Sequence, residues 1–183
     1  VNYNKVDDPA AKVTSVKVGE KAGNTSEVVT TSNEYDATNG RLEKTTQASG
    51  TAEAAVTDLV YGDTAHPEDV TKVIDARSKE WLSGYDPDTG YLLWSQDPEG
   101  RRMVRTYNEL GWPKTVTSPR GVVTTGIAHD FETTWAYDLA NRKTTVTGPV
   151  ADPATETGDV SVTALDAHGN TAAVTTGTGA GDP

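Results

Sequence analysis

The chain has 183 residues, 34% of them hydrophobic, with no cysteine, 27 acidic and 16 basic side chains, and a formal charge of −11. Disulfides and thiol chemistry are excluded, and a field of that sign opposes a phosphate backbone, so no nucleic-acid partner is expected. No apolar run approaches the roughly 20 residues of a spanning helix, so no membrane span is expected.

In chain order, residues 1–30 read as leading strands or a degenerate repeat: strands at about Lys12–Val18 and Ser26–Thr31 flank the loop GEKAGNT at 19–25. The first residues, VNYNKVDDPAAKV, carry neither a charged n-region nor an apolar h-region; the expectation is that a leader has been removed or that the chain is a piece of a longer protein. From 31 to 177 short strands alternate with turns, and no long window shows helical spacing of apolar residues. The alanine-rich stretch TAEAAVTDLVYG at 51–62 is the nearest to a helix, but Val56, Asp58 and Val60 keep strand alternation into Tyr61. Residues 178–183 read as a flexible tail or linker.

Within 31–177 one unit recurs. It is clearest in YNELGWPKTVTSPRG, residues 107–121: Tyr107 ends a half-buried strand, Asn108 bonds its own backbone, Gly111 takes a positive φ, and an alternating strand runs to the Pro119-x-Gly121 turn. Copies begin at Tyr35 (YDATNGRL), Tyr61, Tyr85 (YDPDTGYLLWSQDPEG), Tyr137 (YDLANRKTTVTGP) and Leu165 (LDAHGNTAAVTTG). The inner strand position reads Thr45, Val73, Ser95, Val116, Val146 and Val174, and hairpin turns are predicted at 36–40, 86–90, 108–111 and 138–141. The fold class that follows is all-β, an antiparallel β-hairpin array forming a thin, Thr- and Val-rich sheet.

These units resemble the YD-repeat, or RHS-repeat, family of bacterial secreted and surface proteins. Tyr35, Asp36, Gly40, Arg41 and Leu42 match its Tyr-Asp…Gly-Arg motif; Tyr91 and Trp112 stand in the arginine place of later units, Asn141 in the glycine place before Arg142, and Leu165 in the tyrosine place. The resemblance implies a twisted sheet of the kind that forms the wall of a hollow β-cocoon, enclosing a toxic or otherwise sequestered C-terminal polypeptide, as in polymorphic bacterial toxins. It implies further repeats of a parent polypeptide as partners, a secreted or cell-surface location, and no catalysis by the array itself. A cell-surface adhesion or carbohydrate-binding module built from the same repeats is the alternative. Unpaired sheet edges are expected to pair with a second copy or to be covered by residues 1–30.

Three constellations could carry chemistry. Asp86 and Asp88, with Asp97 in the twelfth place, echo a calcium loop, but Tyr91 occupies the sixth place where that loop needs glycine, so turn formation is the expected role and no cofactor or metal is expected. His66, His129 and His168, with Asp130 and Glu132 beside the middle one, fall in different turns with no nucleophile or paired spacing, and no enzyme is expected. Trp81, Trp94, Trp112 and Trp135 could stack on sugar rings, with glycans as partners; strand parity splits them between faces and favours packing.

Overall fold

The computed structural model describes residues 2–3, 12–18, 29–123, 130–154 and 156–178, and falls into two compact units, Val1–Ser83 and Gly84–Pro183. Among the described residues there are fourteen strands and one short helix. The expected loop at 19–25, His129 and the tail beyond residue 178 lie outside the described residues.

The first unit holds β1 (Asn2–Tyr3), β2 (Val13–Val18), β3 (Val29–Tyr35), β4 (Leu42–Gln47), β5 (Ala55–Val60), β6 (Lys72–Ile74) and most of β7 (Glu80–Tyr85), each antiparallel to its neighbour in sequence. Within the alanine-rich stretch residues 55–60 form strand β5, as the alternation of Val56, Asp58 and Val60 requires, while residues 51–53 turn. The register puts Thr45 opposite Thr57 and Val73 opposite Leu59, so both inner positions share a face.

The second unit holds β8 (Leu92–Gln96), β9 (Arg102–Tyr107), β10 (Pro113–Thr117), α1 (Pro119–Val123), β11 (Glu132–Asp138), β12 (Lys143–Thr147), β13 (Asp159–Leu165) and β14 (Thr171–Thr178), again paired in sequence order. Here Ser95, Val116, Val146 and Val174 fall on one face, by way of Met103, Arg105, Thr133, Trp135, Ser161 and Thr163 on the strands between. Where a Pro-x-Gly turn is predicted, Pro119 instead opens the single turn α1: proline at a first helical position loses no bond it could have made. Val122 N–H donates to the carbonyl of Ser118 at 3.2 Å.

Neither unit has a thick interior. Among the described residues Val162, at 7% exposure, is the only buried apolar side chain, and Asp130, at 3%, the only buried polar one. Threonine and serine suit such a surface, because their hydroxyls bond across strands: Thr106 and Thr115 meet at 2.8 Å, and Arg105 Nη1 donates to Ser95 Oγ at 3.1 Å.

Gly84 shows how a bare strand position is covered. A Cβ there would lie 2.1 Å from Trp94 Nε1, so the indole rests directly on the glycine backbone. The Arg102 guanidinium sits 4.0 Å from the indole centroid and donates from Nε and Nη2 to Gln96 Oε1 at 3.1 and 2.9 Å.

Candidate functional site

The repeated chemistry gathers at the turns that follow β3, β5, β7, β9, β11 and β13. An Asx side chain organises most of them. Asn108 and Asp166 each accept, on Oδ1, the N–H groups two and four residues on, at 2.8–3.0 Å, and Asp75 and Asp97 do the same at the turns after β6 and β8, at 2.8–3.1 Å. Asp36 and Asp86 cap a loop one residue longer, accepting from the residues two and three on at 2.7–3.1 Å. The left-handed residue is then Gly111 (φ 77°) or Gly90 (φ 73°), where a Cβ would be strained.

The Tyr137 hairpin differs from the sequence expectation. Its left-handed residue is Arg142 (φ 52°), not Asn141, because Asp138 pairs directly with Lys143 and leaves a four-residue loop whose last member must turn. Asn141 instead holds Asp138, by N–H at 3.0 Å and by its side-chain amide at 2.6 Å.

Hydrogen bonds hold several of these carboxyls below the usual aspartate range. For Asp36 the cause is the N–H of Asn39, then that of Thr38; for Asp138 it is the Asn141 side chain, then its N–H; for Asp166 it is the N–H and amide of Asn170. At Asp97 desolvation pushes upward, but the Arg101 N–H and guanidinium together outweigh it and the net direction is down.

Beside these caps each unit carries a row of two tyrosine rungs. Each phenol reaches back to the first carbonyl of the strand before its own: Tyr35 to Val13 at 2.8 Å, Tyr61 to Leu42 at 2.8 Å, Tyr107 to Leu92 at 2.9 Å and Tyr137 to Pro113 at 2.7 Å. Each ring also lies against the residue just before that carbonyl. Lys12 Nζ is 5.3 Å from the Tyr35 centroid and Arg41 is 4.8 Å from that of Tyr61; Tyr91 and Trp112 stack on Tyr107 and Tyr137, centroids 5.0 Å apart and tilted. Burial pushes the Tyr61 and Tyr137 phenols up, which keeps them protonated donors.

Those four partner residues are what sequence reasoning missed. Tyr91 and Trp112 look like departures from an arginine motif, yet all four side chains do one job: each offers a cation or a π-face to the next ring. The available signal was their common place, one residue before each returning strand.

The other candidates are spread through both units. Asp86 Oδ1 accepts from the N–H groups of Asp88 and Thr89 and from the Thr89 hydroxyl, so that oxygen serves the turn. Among the described residues no group of three or more His, Asp or Glu is placed to hold a metal ion. His66 and His168 donate their backbone N–H to Asp63 and Asp166 within their own turns, and Glu132 accepts from Thr117 Oγ1 at 3.2 Å. Trp81 is 41% exposed opposite Val73, Trp94 is packed on Gly84, Trp112 is in the tyrosine row, and Trp135 pairs with Val146.

Around the Tyr137 rung of the second unit is a cavity of about 430 Å³, lined by Trp112, Tyr137, Leu139, Arg142, Lys143 and Leu165 among others. No family model matches the chain, and no curated protein matches it.

Proposed function

We propose that the chain is a structural segment of an RHS/YD-repeat shell, secreted or displayed at a bacterial surface, that encloses or presents a toxin or effector polypeptide and catalyses nothing itself. The observation that carries this reading is the pairing of a regular repeat with an almost absent interior. Hairpins are tied one to the next by side chains, while Val162 is the only buried apolar side chain among the described residues. A domain built around its own pocket ordinarily buries a contiguous core; a repeat array needs only nearest-neighbour contacts, which is how a wall is extended.

The test is protection. Expressed with the polypeptide encoded on both sides and treated with a nonspecific protease, the chain is expected to shield a C-terminal segment that becomes digestible only when the repeats are unfolded. Equal digestion before and after unfolding, or flanking sequence with neither repeats nor a C-terminal polypeptide, overturns the reading. So does saturable binding of the isolated chain on a glycan array.

A further inference from the structure

In the second unit the rungs at Tyr107 and Tyr137 each place a phenol ring against an aromatic partner and its hydroxyl on a carbonyl, and within the first unit the rungs at Tyr35 and Tyr61 place the ring against a cation and its hydroxyl on a carbonyl. The hairpin that follows Tyr137 has the same parts except the ring. Arg142 stands where Arg41 stands in the Tyr61 rung, one residue before the returning strand, but the residue it meets is Leu165: Arg142 Nε donates to the Leu165 carbonyl at 3.4 Å. Leucine brings neither a π-face nor a hydroxyl.

Space is left where a ring would be. The cavity of about 430 Å³ runs from the Trp112–Tyr137 stack to Leu165, within the range of pockets that hold small ligands. Its apolar walls stand open to solvent, with Leu139 at 62% exposure, Trp112 at 38% and Leu165 at 37%. Its charged groups are Asp138, Arg142 and Lys143, and Thr144 adds a hydroxyl.

We propose that this cavity is a binding site for a phenolic ring, which completes the row by continuing the Trp112–Tyr137 stack. The guanidinium of Arg142 is the flat cation for the ring, as Arg41 is for Tyr61, and a polar group beside it receives the hydroxyl. The inference does not depend on the shell reading, since it follows from the repeat geometry alone.

The whole chain is titrated with p-cresol, with the capped tripeptide Gly-Tyr-Gly and with cyclohexanol, following the Trp112 indole and the Leu165 amide by NMR. Both phenols are expected to move these signals saturably, and cyclohexanol to bind about tenfold more weakly or less. A tripeptide that binds about tenfold tighter than p-cresol identifies a polypeptide tyrosine as the source; equal affinities identify a free phenol. Leu165→Tyr supplies the ring from within, and is expected to raise Tm and weaken both phenols by at least about tenfold. The proposal is overturned if cyclohexanol matches p-cresol, if methyl glucoside moves the same signals while the phenols do not, or if no probe saturates. Undiminished phenol binding by folded Leu165→Tyr overturns it as well, and because the cyclohexanol comparison uses the unaltered chain, it decides even if that variant does not fold.

Discussion

Tyr137 and Leu165 hold the same place in successive hairpins of the second unit, and their neighbours solve one problem in two ways. Between β10 and β11 the paired residues stop at Thr115 and Thr134, and the Pro113 carbonyl beyond them is met by the Tyr137 hydroxyl at 2.7 Å. Between β12 and β13 pairing continues to Lys143 and Ala164, and the Leu165 N–H donates to the Arg142 carbonyl at 3.0 Å. A backbone acceptor needs a donor, and side chain or main chain will serve. The tyrosine rung therefore belongs to a seam whose strands part near the turn, and a zipped seam can dispense with it.

The comparison breaks most severely at the glycines of the two kinds of hairpin. In Gly111→Val the new Cβ lies 2.2 Å from Tyr91 Oη and must displace the ring stacked on Tyr107, besides straining a φ of 77°. Gly169, with φ 85° and nothing within 4 Å, meets strain only. Strain alone is expected to cost about 1–3 kcal/mol, so both variants should melt lower, Gly111→Val by clearly more; equal melting temperatures would count against the stacked rung.

A smaller effect isolates the hydroxyl. Tyr137→Phe keeps the ring on Trp112 and leaves the Pro113 carbonyl without its phenol donor, for an expected loss of about 0.5–1.5 kcal/mol. Leu165→Phe has no such bond to lose. Chemical denaturation of the two variants should show the loss at Tyr137 only.

The smallest effect is electrostatic. The Asp138 and Asp166 carboxyls are held below their ordinary value of 3.8, so their folded pKa lies below the unfolded one. Their contribution is fully present above about pH 4 and is lost as pH falls through the folded values. Asp166→Asn, which can accept the same two N–H groups as Asn108 does, should flatten that part of the acid side of a Tm-against-pH curve. An unchanged acid slope would show that the cap draws nothing from its charge.

Much of this architecture was legible because strand parity is a local signal. The inner positions Ser95, Val116, Val146 and Val174 could be aligned by eye and do share a face. The turns at Asp36, Asp86 and Asn108 followed from Asx and glycine chemistry. What period-two reasoning does not show is register: the shifts between Pro113 and Thr115 and between Ala164 and Leu165 decide where a side chain at a turn arrives. Trp112 could thus be assigned a face but not a partner, because its contact with Tyr137 lies one hairpin further on. The helix at Pro119–Val123 was hidden for a different reason, since proline and glycine two apart suit a turn and a single helical turn alike.

Each phenol rung runs backward along the chain, from a tyrosine to a carbonyl 15–24 residues earlier. During synthesis the acceptor has always left the ribosome before its donor. A nascent hairpin therefore finds its docking point already in place, and no rung waits for a distant segment. Such a sheet can be assembled in the order it is translated, one hairpin at a time, with the newest hairpin the only one still unsecured.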